Sequence, residues 1–191
     1  MADELAVKYE KVQAVHHAVN RGYGAALQTG FQRAVKFDWV CFTDGDDQYD
    51  IRDLEKMLPY LEECDAVISY RQHNANSWMR IFISIAYNIF VRILFGVPYK
   101  DISCSLKIFR RKQLDRVRIT SVSPFIDAEI ILKMHRLGCR IKEVGIRSYP
   151  RLYGKSTALR LKSFTKTIID MLALFARVRF TRRSQWEAPV R

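Results

Sequence analysis

Asp44 and Asp46 are the side chains best spaced for chemistry, two residues apart just beyond the run Trp39-Val40-Cys41-Phe42-Thr43. That run is apolar, β-branched and aromatic, and reads as a buried strand. In an extended segment residues i and i+2 point to the same side, so both carboxylates face one way. Gly45 between them permits a bend and leaves room for a bulky ligand. Two carboxylates converging where a buried strand ends form an expensive site unless a cation joins them. Hard oxygen donors suit Mg²⁺ or Mn²⁺, ions whose coordination is commonly completed by substrate phosphates. The pattern points to a metal-diphosphate site with Asp44 and Asp46 as the metal ligands. It is also compatible with an acidic loop ahead of a helix over Ile51 to Glu63, with Asp50 as the N-cap.

Other stretches offer partners for that chemistry. Asn20-Arg21-Gly22-Tyr23-Gly24 is a turn with two glycines, followed by a helical pattern over Ala25 to Val35. Such a turn can cradle a phosphate on free helix N–H groups, or serve only as a turn. Asp127 and Glu129 fall in the first turn of a helix running to Leu137, where the dipole favours negative charge. Either could act as a base toward a hydroxyl acceptor, and Glu129 could instead orient the acceptor-side loop. Arg151-Leu152-Tyr153-Gly154-Lys155-Ser156 sets two cations around a glycine, a reasonable anion cradle. His16 and His17 fall at a strand end, and His73 and His135 look peripheral.

The elements that must hold these groups alternate. Strands are expected at Lys11 to His16, Trp39 to Thr43 and Asp65 to Tyr70, with helices between them. Alternation of this kind argues an α/β fold with a parallel sheet, whose ligands lie beyond the C-terminal strand ends. Trp78 to Phe95 is a long apolar helix with one polar stripe, Arg80, Ser84, Asn88 and Arg92. The pattern fits a buried helix whose stripe meets solvent or the domain, or a helix lying near a lipid with its stripe turned to the protein. The stretch Ile81 to Val97 reads as interfacial, not as a membrane span. A strand follows Asp101, another covers Arg140 to Tyr149, and an amphipathic helix runs from Ala158 to Val178 into a basic tail.

Thirty-two basic residues minus 20 acidic ones give a net charge of +12 over 191 residues. The excess predicts an anionic partner. Nucleic acid is not expected, because the aromatics sit in apolar runs and no binding module appears. Cys41, Cys64, Cys104 and Cys139 form no CxxC pair and read as reduced, buried thiols of a cytosolic protein.

Taken in order, these motifs resemble those of family 2 glycosyltransferases of the GT-A type, in particular the dolichyl- or polyprenyl-phosphate sugar synthases. Asn20 to Ala26 is similar to the family's N-x-G-x-G-x-A turn, and Asp44 to Tyr49 to its aspartate-any-aspartate motif. Asp101 to Arg111 resembles D-x-x-x-G-x-K-x-F-x-R, with Ser105 where the family usually has glycine. Phe125 to Glu129 resembles F-x-x-x-E. Ile141 to Val144 with Arg151 and Gly154-Lys155-Ser156 resembles I-x-E-V…R-x-x-G-x-S. The resemblance implies a GT-A, Rossmann-like, mostly parallel sheet flanked by helices. Residues 1–157 would form a partial domain lacking the first nucleotide-binding strands, and 158–191 a C-terminal helix and tail.

The resemblance further implies transfer of a sugar, with inversion, from a nucleotide-diphospho-sugar to a polyprenyl phosphate, dependent on Mg²⁺ or Mn²⁺. Gly22, Gly24, Asp44, Asp46 and Gln48 would bind the donor. Arg110, Arg151, Lys155 and Ser156 would bind the acceptor, and Asp46, Asp127 and Glu129 would be catalytic. The protein would sit peripherally at the cytoplasmic face of a membrane, as a homo-oligomer or with a separate N-terminal half. The alternative is a catalytically incompetent relative acting as a scaffold or regulatory subunit.

Overall fold

The computed structural model describes residues 1–73, 78–150 and 161–180. Its elements are α1 (Ala2–Lys8), α2 (Tyr23–Arg33), β1 (Trp39–Phe42), β2 (Ala66–His73), α3 (Trp78–Phe95), β3 (Lys107–Arg110), α4 (Arg111–Leu114), α5 (Ile126–Arg136), β4 (Ile141–Arg147) and α6 (Leu161–Phe180). The strands pair in the order β1-β3-β2-β4. β3 runs antiparallel to both of its neighbours, while β2 and β4 are parallel. Three strands therefore share one direction and β3 alone is reversed. The sheet is α/β as expected, but mixed.

Alternation along the strands divides the core between two faces. Val40, Ala66, Ile68 and Phe109 point to one face, with Val91 and Phe95 of α3, Ile130 and Met134 of α5, and Met171 and Leu174 of α6. Val67, Leu106, Ile108 and Ile146 point to the other, against Met57, Leu54 and Tyr60. That second face is covered by two short 3-10 turns, Ile51–Lys56 and Leu58–Tyr60, where a helix over Ile51 to Glu63, kinked or cut short by Pro59, was expected. Pro59 lacks an N–H and crowds the preceding turn, so the segment cannot continue as one α-helix. Asp50 does cap it, accepting 2.9 Å from Arg52 N.

Two further expectations change. Lys11 to His16 forms no strand, and His16 instead meets exposed Asp3. All four cysteines are free, but Cys41 is exposed. The apolar helix, by contrast, spans Trp78–Phe95 as its pattern predicts. The helix before Gly138 ends on that residue, whose φ of 77° lies in the left-handed region.

The mixed pairing brings functional groups to one end. β1, β2 and β4 all finish there, and the reversed β3 begins there, with Phe42 opposite Lys107. Arg110, at the other end of β3, lies opposite Trp39.

Candidate active site

At the end where three strands finish, the loop after β1 carries Asp44 and Asp46, both half-buried. The backbone bend falls on Asp47, with φ 57°, and not on Gly45. Space beside Gly45 is nonetheless open: a Cβ built there meets nothing within 4 Å. Asp46 Oδ1 accepts from the Gln48 backbone at 3.2 Å. Gln48 is buried, its carbonyl accepting from Tyr149 N at 2.9 Å and its amide donating to Tyr149 O at 3.4 Å. This residue ties the acidic loop to the end of β4.

Asp44 meets side chains from three other segments. Ser105, just before β3, donates to Asp44 Oδ2 at 2.6 Å. The Tyr23 phenol donates to both Asp127 oxygens at 3.2 Å. Burial raises the pKa of that phenol, and the charges of Asp127 and Asp44 add to the shift. Lys107 is fully buried; its ammonium lies 3.8 Å from Asp127 Oδ1 and 5.3 Å from the centre of the Phe42 ring. It makes no hydrogen bond. Burial pushes the Asp127 carboxyl up to about 6, with Lys107 opposing and Asp44 adding. A buried cation thus sits among carboxylates without neutralising Asp44 directly.

The glycine turn is explained by packing. Gly22 has φ 89° and its N–H is bound by Asn20 Oδ1 at 2.9 Å. Gly24 donates to Val122 O at 3.2 Å, and a Cβ there would lie 2.7 Å from Val122 backbone carbons. The N–H groups of Gly22 and Gly24 are therefore both bonded inside the protein. What the turn delivers to the site is Tyr23.

Glu129 does not reach the site either. It is fully buried and accepts from Lys133 Nζ and Thr120 Oγ1 at 2.6 Å, from Ser121 N at 2.7 Å and from Thr120 N at 3.1 Å. Burial alone would raise its pKa, but Lys133 and these donors hold it below the ordinary glutamate value. Its work is to pin the loop whose next residue, Val122, docks on Gly24. Arg110 is likewise remote: it donates to Leu61 O at 2.9 Å, pairs with Asp65 at 3.7 Å and stacks over Trp39. The antiparallel register carries it away from the acidic loop, so it does not serve as an acceptor ligand there. Arg151, Lys155 and Ser156 lie outside the described residues.

Next to this cluster is a second polar group. Arg71, at the far end of β2, forms a fork on Asp101, with Nε to Oδ2 at 2.6 Å and Nη2 to Oδ1 at 2.8 Å. Burial works against both charges, yet the pairing raises the Arg71 pKa and lowers that of Asp101. Ser84 of α3 accepts from Arg71 at 3.0 Å, and Asn88 accepts from Ile102 N at 2.9 Å. The middle of the α3 polar stripe therefore faces the domain, and Asn88 is only 6% exposed. The opposite side of α3 is bare: Trp78, Phe82 and Ile93 are 77%, 69% and 78% exposed.

Tyr23, Lys107 and Arg71 were not singled out as individual site residues by sequence, whereas Ser105 stood out as the residue at the family's glycine position. Lys107 had a signal, as a lone cation inside the apolar strand Leu106-Lys107-Ile108-Phe109. Arg71 had a weaker one, as a cation ending a buried strand.

Among the described residues no group of three or more His, Cys, Asp or Glu side chains could hold a metal. Asp44 and Asp46 are the pair that could contribute to one. Two carboxylates beside open space suit a hard ion that takes its remaining oxygens from water or a phosphorylated ligand.

The sequence profile of glycosyl transferase family 2 matches residues 1–118. The chain belongs to that family. Among curated relatives, it is 28% identical over 170 residues to the dodecaprenyl-phosphate galacturonate synthase of Rhizobium johnstonii, covering 86% of this chain and 48% of the relative. It is 26% identical over 165 residues to the undecaprenyl-phosphate mannosyltransferase of Micrococcus luteus, covering 81% and 68%. The chain thus spans about half the length of the first of these relatives. Its fold is similar to that of glucosyl-3-phosphoglycerate synthase from Mycobacterium tuberculosis in complex with phosphoglyceric acid. That likeness has a TM-score of 0.57 at 19% identity, covering 82% of this chain and 56% of the other. The same enzyme in complex with uridine diphosphate gives 0.55 at 18% identity.

Proposed function

We propose that this glycosyltransferase domain moves a sugar from a nucleotide-diphospho-sugar to a polyprenyl phosphate, with inversion. The observation that carries the reading is the gathering of Asp44, Asp46, Ser105, Tyr23, Asp127 and Lys107 where β1, β2 and β4 end. Ligands of open α/β sheets bind at that end. The lipid-phosphate acceptor is favoured by the relatives' names and by the exposed apolar side of α3.

In this reading Asp44 and Asp46 would hold Mg²⁺ or Mn²⁺, which would supply charge stabilisation for the departing nucleoside diphosphate. A phosphate oxygen of the acceptor attacks the anomeric carbon, and the bond from that carbon to the diphosphate oxygen breaks. No proton need be removed, because a phosphate monoester is anionic at neutral pH. Asp127 therefore acts as an anchor for Tyr23 beside Asp44, with Lys107 balancing its charge. Arg151, Lys155 and Ser156 supply cations and a hydroxyl for the acceptor phosphate.

The domain would rest on the cytoplasmic face of a bilayer. By length and composition α3 could cross one. Ser84 accepts from Arg71 and Asn88 donates to Asp101, which instead lays the helix along the domain with its apolar side outward. Ile169, Leu172 and Phe180 of α6 are exposed as well, and Arg177 and Arg179 add charge suited to anionic lipid. The reading is tested by incubating the protein with labelled sugar nucleotides and undecaprenyl phosphate. Label entering the lipid phase is expected; label confined to the aqueous phase with every donor would reject it.

A further inference from the structure

Asp44 stands two residues beyond the last paired residue of β1, so the sheet does not fix its side chain. What fixes it comes from 61 residues away: the Ser105 hydroxyl, 2.6 Å from Oδ2. Ser105 is itself buried, at 4% exposure, in the segment that opens β3. Its position is set by the reversed strand, since Leu106 next to it accepts hydrogen bonds from both the backbone and the hydroxyl of Ser69 on β2. A short hydroxyl–carboxylate bond from a rigid partner is the stronger kind. The Tyr23 phenol points at Asp127, at 3.2 Å, and also interacts with Asp44. Lys107 pairs with Asp127, at 3.8 Å. Ser105 makes the short, rigidly held hydrogen bond to the Asp44 carboxylate.

Of the two Asp44 oxygens, Ser105 holds Oδ2. We propose that Ser105 is a positioning residue for divalent-ion binding: by holding Oδ2, it presents Oδ1 of Asp44 for coordination. The inference rests on the reading of Asp44 and Asp46 as metal ligands. Outer partners of this kind orient ligands and set metal affinity, and their loss typically weakens binding by about 10- to 100-fold. Glycine or alanine at 105 would leave the Asp44 carboxylate free to rotate.

The test titrates Mn²⁺ into the 191-residue chain and follows free Mn²⁺ by electron paramagnetic resonance. Ser105→Ala is expected to weaken Mn²⁺ binding by about 10-fold with an unchanged circular dichroism spectrum. Ser105→Gly, which also lacks the hydroxyl, is expected to behave the same way and serves if the alanine variant misfolds. Asp46→Asn is the control for the metal site and is expected to abolish tight binding. Mn²⁺ affinity within twofold of wild type in both Ser105 variants, with binding still lost in Asp46→Asn, would overturn the role of Ser105 alone. Wild-type affinity in Asp46→Asn would overturn the metal reading and this inference with it.

Discussion

Replacing Glu129 with glutamine separates a structural role from a catalytic one. The side chain is fully buried and paired with Lys133, which is buried as well. Glutamine keeps the shape but leaves the ammonium without its counter-ion and turns an N–H₂ group toward donors on Thr120, Ser121 or Lys133. Breaking one side of a buried pair costs about 3–5 kcal/mol. With a urea dependence of about 2 kcal/mol per molar, that lowers the unfolding midpoint by roughly 2 M. Lys133→Met in the same chain removes the stranded charge, and the double variant should regain most of the loss. The pH dependence has a defined sign. The folded-state pKa of Glu129 is depressed, so its contribution is present above the ordinary glutamate value and is lost as pH falls through the lower folded value. Glu129→Gln should lack that acid-side loss. Urea melts of the single and double variants across pH measure all of this. A single variant within about 1 kcal/mol of wild type that nonetheless abolishes sugar transfer would refute the reasoning and return Glu129 to the chemistry.

Three further outcomes follow from the geometry. Gly24→Ala places a methyl group 2.7 Å from Val122 backbone and should cost about 1–3 kcal/mol by thermal or urea melts, with weaker sugar transfer because Tyr23 is displaced. Asp101→Asn leaves Arg71 buried without its anionic partner and should cost about 3–5 kcal/mol, with faster hydrogen exchange where α3 meets β2. Phe82→Glu with Ile93→Glu should abolish co-sedimentation with vesicles of anionic phospholipid while leaving stability nearly unchanged, since both side chains are exposed. Undiminished vesicle binding would move the membrane contact off α3.

Much of the site's location was legible from residue types, because an apolar strand that stops in carboxylates is a local pattern; its expected burial did not hold, since β1 is an edge strand in which only Val40 is buried. The bounds of α3 were legible for the same reason: a long apolar helix needs no tertiary information to be recognised. Its orientation was not, since only the fork of Arg71 on Asp101 decides which side faces inward. Arg110 and Lys107 show what local reading misses. They are three residues apart on one short strand, and the antiparallel pairing of β3 sends one to the site and the other to the far end. The glycine turn was recognised as a motif, but its cause is the backbone of Val122, nearly a hundred residues on. Glu129 read as either a base or a loop-orienting carboxylate, and the donors from Thr120 and Ser121 decide for the second.

Calorimetric titration of the protein with UDP and with GDP, in Mn²⁺ and then in excess EDTA, tests most directly whether the loop after β1 grips a diphosphate through a divalent ion. Saturable binding of at least one nucleotide is expected in Mn²⁺, lost in EDTA and lost in Asp46→Asn. Binding that is equally tight in EDTA, or undisturbed by Asp46→Asn, would contradict that grip.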